Sequence, residues 1–138
     1  MKRTWIMVIT TLFGIAVIGG YLVLDTIFPK ANPISCPTEE SVTAITLVQN
    51  HNRSLAVETT DIRKILKNIT DAVPTREPSV NDYPAAKTYY VIEVDTAARQ
   101  YRYFLYIQNS QVYMELPYEG VYKSSQQFFD SISEYFKD

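Results

Sequence analysis

The spacing of hydrophobic and polar positions changes several times along this chain, and each change marks a predicted element. Trp5 to Leu24 carries no charge and is dominated by Ile, Val, Leu, Phe and Gly. A helix of about twenty residues at 1.5 Å per residue matches a bilayer hydrocarbon core of roughly 30 Å, so this run reads as a transmembrane helix. From Ser41 to Gln49, Val, Ile and Thr predict a strand. Asn50-His51-Asn52-Arg53 then supplies turn residues before a second strand, Ser54 to Glu58. Ile62, Ile65, Leu66 and Ile69 recur at i, i+3, i+4 and i+7, a helix with one apolar stripe. Thr59 or Thr60 is its expected cap, with Asp61 in the first turn and Lys67 near the negative end of the dipole.

Asp71 to Pro84 follows a different rule. Pro74, Pro78 and Pro84 punctuate a polar stretch that neither continues a helix nor suits a sheet, which predicts a long loop. Three strand-like runs come next, Lys87 to Asp95, Gln100 to Ile107 and Val112 to Leu116, and their short connections imply an antiparallel meander. In the middle run, Tyr101, Tyr103, Leu105 and Ile107 fall on one face and Arg102, Phe104 and Tyr106 on the other. Ser124 or Ser125 is the expected cap of a last helix with a stripe of Phe128, Phe129, Ile132, Tyr135 and Phe136. Gln127, three after Ser124, completes a capping-box pattern. The order ββα followed by βββα predicts a two-layer α+β domain of antiparallel strands with two helices, behind the N-terminal transmembrane helix.

Length and charge narrow this further. Residues 1–4 read as a cytoplasmic N-terminus, 5–24 as the spanning helix, 25–40 as an extended linker with prolines at 29 and 33, and 41–138 as one domain. Lys2 and Arg3 precede the helix and Asp25 follows it, so the positive-inside tendency keeps the N-terminus in the cytoplasm and places the domain outside it. Beyond the membrane segment and Lys30, ten basic residues face fourteen acidic ones, a net charge of −4. That sign, without a basic cluster, disfavours nucleic acid and anionic lipid as partners.

Two other fates of the apolar run fit its residues less well. A cleaved signal peptide has an apolar core of about 7–15 residues and a small-x-small site, and none follows Leu24. Pro33-Ile34-Ser35-Cys36 faintly imitates a lipobox, but Pro33 stands where Leu is wanted and Lys30 separates the site from the run. Ala16 and Gly20 make a small-xxx-small pair, a possible weak homodimer contact between anchors.

Residues that could carry chemistry are few. Cys36 is the only cysteine, so an exported domain has no internal disulfide and must be stable on its core. With that cysteine and His51, the single histidine, expected in a hairpin turn, there is no zinc framework and no nucleophile–histidine motif. No cofactor is implied, and three of four glycines lie in the apolar run, which leaves only Gly120 for a backbone cradle. Glu93, Asp95, Glu115 and Glu119 lie near the sheet. A hydrolytic carboxylate pair among them would need a cleft and perturbed acidity. Asn52-Arg53-Ser54 and Asn68-Ile69-Thr70 match a glycan acceptor pattern that matters only in a eukaryotic secretory pathway.

Tyrosine is the bias that remains. Ten of eleven lie between Tyr83 and Tyr135. An apolar ring with a hydrogen-bonding tip suits both half-buried strands and recognition surfaces. Tyr83, Tyr118 and Tyr122, outside the strand centres, are the candidate ligand or partner contacts, and the 71–84 loop is a candidate contact surface.

Leu116-Pro117-Tyr118-Glu119-Gly120-Val121-Tyr122-Lys123, leading into the Ser125 to Phe136 helix, resembles a family of uncharacterised small membrane-anchored or exported domains from Gram-positive bacteria. The resemblance spreads loosely over Ser41 to Asp138 and implies bacterial origin and placement outside the cytoplasm. It brings no activity and no functional residues. The expectation is a single-pass membrane protein whose extracytoplasmic domain is a non-enzymatic protein- or peptide-binding module. An envelope-directed hydrolase or transferase using Glu93 and Glu115, and a structural or immunity-type membrane accessory, are the alternatives.

Overall fold

A computed structural model describes residues 2–49 and 53–137. His51, with Asn50 and Asn52 of the expected turn, lies outside the described residues, while Arg53, also expected in the turn, already opens the second strand, paired with Gln49. The chain divides into two units, Met1–Lys30 and Ala31–Asp138.

The first unit is one helix, α1 (Lys2–Ile27). Its Trp5–Ile27 stretch has a mean hydropathy of 2.3 and none of it is buried, so it is long and apolar enough to cross a membrane; a signal sequence meets the same description. Thr10, Thr11 and Thr26 each donate their hydroxyl to the carbonyl four residues earlier, which removes the polar groups that an apolar surrounding would penalise.

In the second unit the elements run β1 (Val42–Gln49), β2 (Arg53–Ala56), α2 (Thr59–Thr70), β3 (Val73–Pro74), β4 (Tyr89–Thr96), β5 (Gln100–Gln108), β6 (Gln111–Leu116), β7 (Gly120–Lys123) and α3 (Gln126–Glu134). The strands form one antiparallel sheet ordered β2-β1-β4-β5-β6-β7-β3. The α+β class and the meander agree with the sequence pattern. Two short strands join them: β7, and β3 within the segment expected to be all loop. Pro74 is tolerated there because β3 is an edge strand, where a missing N–H breaks no ladder on the outer side.

Both helices pack on one face. Ile62, Ile65, Leu66 and Ile69 of α2 and Phe128 and Ile132 of α3 join Ile45, Leu47, Tyr90, Ile92, Val94, Tyr103, Leu105, Met114 and Tyr122 in one core. The Tyr135 hydroxyl ties the two helices together by donating to Asp61 Oδ2 at 2.5 Å. At α3, Ser125 is the cap and accepts from the Phe128 amide, so the expected Ser124–Gln127 capping box gives way to a simple serine cap. At α2 the cap position falls to Glu58, without a side-chain bond, and both threonines lie inside the first turn.

The segment expected to act as spacer is partly folded in. Ile34 is buried in the core, and Tyr122 Oη donates to the Asn32 carbonyl at 2.8 Å. Ala31 donates its amide to Thr75 O. Ala31 also lies against Gly120, where an added Cβ would come within 2.5 Å of the Ala31 Cβ and φ is +153°. Glycine is therefore required at position 120 on two counts.

Candidate functional site

The face of the sheet opposite the helices is where the chain does something its pattern did not reveal. Val91, Phe104, Tyr106, Glu115 and Val121 point that way and are buried, although no helix lies over them. The 75–88 segment covers them. Thr75 and Glu77 bond along Val121, the amide of Val121 donating to Glu77 O and that of Thr75 to Val121 O. Further on, Ser79 Oγ donates to Glu115 Oε1 at 2.7 Å and the Tyr83 ring meets Phe104 edge-on at 5.6 Å. Tyr89 meets the same ring edge-on at 5.7 Å. The far end of this cover is held by Tyr118, whose hydroxyl donates to Asp82 Oδ1 at 2.8 Å.

Two of the three candidate tyrosines thus come together. Tyr83 and Tyr118 flank Asp82 on one exposed surface, with relative exposures of 46% and 68%. Tyr118 sits at φ 63° in the turn between β6 and β7, a left-handed conformation uncommon outside glycine, which projects its ring outward. The Asp82 carboxylate holds the Tyr118 phenol above its ordinary pKa. Tyr122 is placed differently: it is buried in β7, facing the helices, with its hydroxyl spent on Asn32. It lies on the helix side of the sheet, behind the surface that carries Tyr83 and Tyr118.

A hollow of about 70 Å³ beside Tyr83 is lined by Val48, Val91, Glu93, Arg102 and Phe104, and its polar floor is the Arg102 Nε–Glu93 Oε1 pair at 3.2 Å. A larger groove of about 360 Å³ opens around the start of β5, lined by Arg99 to Tyr103 and by Leu116, Pro117 and Glu119. Arg102 belongs to both, so the tyrosine surface and the groove are continuous through one side chain.

Among the described residues each candidate acid has its own surroundings. Glu93 is engaged by Arg102, Asp95 accepts from Gln100 Nε2, and Glu119 lies at the groove. Glu115 is buried and accepts from Ser79 Oγ and from Tyr106 Oη at 3.2 Å, a satisfied internal polar group. Burial, together with that carboxylate, drives the Tyr106 phenol far above its usual pKa. Among the described residues no three of His, Cys, Asp and Glu gather as a metal site. Cys36 is half-buried, accepts from Tyr103 Oη at 3.9 Å, and has its thiol pKa raised chiefly by burial, the opposite of an activated nucleophile. Ala16 and Gly20 lie on the exposed surface of α1.

These features define a small α+β domain with a loop-covered, tyrosine-bearing sheet face and no assembled catalytic centre among its described residues. The chain belongs to the DUF5301 family, described as Domain of unknown function (DUF5300), which matches residues 30–123. A solved structure described as the NMR structure of the protein from Ruminococcus gnavus is similar, with 26% identity and a TM-score of 0.59. That similarity covers 70% of this chain and 99% of the other. No curated protein matches the chain. The family carries no assigned activity. The sequence pattern found the tyrosines and the loop as separate signals; the Asp82–Tyr118 bond that unites them spans 36 residues, and no local signal announces it.

Proposed function

We propose that this protein is a single-pass membrane protein whose domain, held outside the cytoplasm, binds a protein or peptide through the surface around Tyr83 and Tyr118. The observation that carries the reading is the Tyr118–Asp82 bond, which keeps an exposed tyrosine in a left-handed turn beside a second exposed tyrosine. Rigid aromatic rings with polar tips contribute large contact areas at small entropic cost, and aromatic residues are enriched at recognition surfaces. The placement rests on the length and hydropathy of α1 and on the basic Lys2 and Arg3 before it. The same anchors could pair weakly through Ala16 and Gly20.

Two measurements test this. A membrane-impermeant maleimide on intact cells should label Cys36 in uncleaved full-length chain, slowly because the thiol is half-buried and its pKa raised. Labelling only after lysis sinks the topology. A photo-crosslinking amino acid at position 118 should capture a discrete protein or peptide species, while the same group at Lys64, on the exposed side of α2, should not. Equal capture from both positions, or from neither, sinks the recognition surface.

A further inference from the structure

The groove of about 360 Å³ has a backbone wall. The β5–β6 ladder runs from Gln108↔Gln111 only as far as Phe104↔Glu115, because β6 ends at Leu116 and turns through Pro117. On its other side β5 is paired with β4 down to Asp95↔Gln100. Residues 100–103 are therefore a strand paired on one edge and open on the other, in the middle of the sheet order and not at its rim.

Alternation decides which groups face the opening. The β5–β6 hairpin closes on Gln108↔Gln111 through Asn109 and Ser110, with φ 50° and 62°, the two-residue primed turn whose flanking pair exchanges both hydrogen bonds. Counting back by twos, residues 108, 106, 104, 102 and 100 direct their N–H and C=O toward β6. The β4–β5 turn agrees: the Thr96 amide donates to Arg99 O, which assigns residues 99, 101 and 103 to β4. Gln100 and Arg102 thus present two amides and two carbonyls to the groove. Such a row is a template for an added strand.

The side chains around it say what kind of strand. Arg99, exposed in the turn, lays its guanidinium over the Tyr101 ring at 4.2 Å and makes no salt bridge among the described residues. Arg102 has Glu93 and the Gln100 side-chain oxygen as partners, both on its Nε. Arg99 is therefore the cation at the mouth of the groove that makes no salt bridge among the described residues; Tyr101 and, more weakly, the Glu119 carboxylate of the same groove favour its charged form. Leu116 and Pro117 give the opposite wall an apolar lining suited to a β-branched or aliphatic side chain.

We propose that the open edge of β5 from Gln100 to Tyr103 receives an extended peptide as an added antiparallel strand, with an acidic side chain of that peptide set against Arg99. This rests on the recognition reading above and gives it a mode: main-chain bonds supply the grip and Arg99 the selectivity. The groove is lined by Pro117 and Glu119, the chain neighbours of Tyr118.

The test uses the full chain in phosphatidylcholine nanodiscs and the probe acetyl-Thr-Val-Glu-Val-Thr-Val-amide. Amide exchange of Gln100 and Arg102 should slow by about tenfold at saturating probe, with Tyr101 and Tyr103, already bonded to β4, unchanged. The same peptide N-methylated at alternate residues, on the edge that would pair, should give no protection. Arg99→Glu should weaken the glutamate probe about tenfold and favour a version with Lys in its place. The inference is overturned by any of four results: no binding at millimolar peptide, binding without protection of these two amides, equal binding of the N-methylated peptide, or concentration-dependent protection without peptide, which would make a second copy the occupant. If the edge fails and crosslinking at position 118 succeeds, the recognition surface stands and only its mode falls.

Discussion

Tyr118 and Asp82, 36 residues apart, are joined by a 2.8 Å hydrogen bond from the phenol to the carboxylate, and this bond pins the 75–88 cover to the turn before the last strand. Both groups are exposed, so its contribution to global stability is small. Its effect is local. Tyr118→Phe should leave the melting temperature nearly unchanged while amide exchange over residues 79–84 accelerates, as hydrogen-exchange mass spectrometry can resolve. Unchanged exchange there would mean that Ser79 and Tyr83 hold the cover without it.

Glu115 makes the complementary case. Its two oxygens accept from Ser79 and Tyr106 in a buried setting. Glu115→Leu strands both hydroxyls and should cost about 2–4 kcal/mol in denaturant unfolding, since each unsatisfied buried group costs roughly 1–3 kcal/mol. Glu115→Gln keeps an acceptor for Ser79 and should cost much less. A leucine variant as stable as the parent would show that the cover is not held through this carboxylate.

Gly120 is the most sensitive backbone position. Gly120→Ala meets the Ala31 Cβ and must hold φ near +153°, so the combined crowding and strain should amount to about 2–4 kcal/mol. Ala31→Gly in the same chain should recover the crowding part and leave the dihedral part, a non-additivity that a double-mutant cycle reads directly. Simple additivity would refute the contact.

Alkaline pH tests the helix tie. Burial first, and then the hydrogen bond to Asp61, push the Tyr135 phenol from 10.0 up to about 12. Being neutral when protonated, this group stabilises the fold fully below pH 10. Between 10 and 12 the unfolded chain binds fewer protons than the native one, so stability falls as pH rises. Tyr106 and Tyr103, raised by burial, add to the same trend. Tyr135→Phe should flatten part of that decline in chemical denaturation series; an unaltered slope would remove Tyr135 from the account.

What could be read from the chain depended on whether the signal was local. The α2 stripe of Ile62, Ile65, Leu66 and Ile69 is buried as its spacing required, and the three meander strands appear within a residue or two of their expected ends. β7 was missed because its four residues follow Pro117 and a left-handed Tyr118, so alternation restarts too late to register. β3 was missed because Val73-Pro74 pairs only through Lys123 and Tyr122, about fifty residues on. Tyr122 shows the limit for the site: a residue next to a turn reads as exposed, yet Met114 across the ladder and Asn32 from the segment before the sheet enclose it.

Pro74 has a final consequence for how such domains coexist at high density. As half of the two-residue strand at one rim, it offers no amide there, so a neighbouring chain finds almost nothing to zip onto from that side. Sheet-to-sheet polymerisation is thereby left with the short β2 rim and the notch beside Arg102, and crowded copies are kept from growing into fibres along one of their two margins.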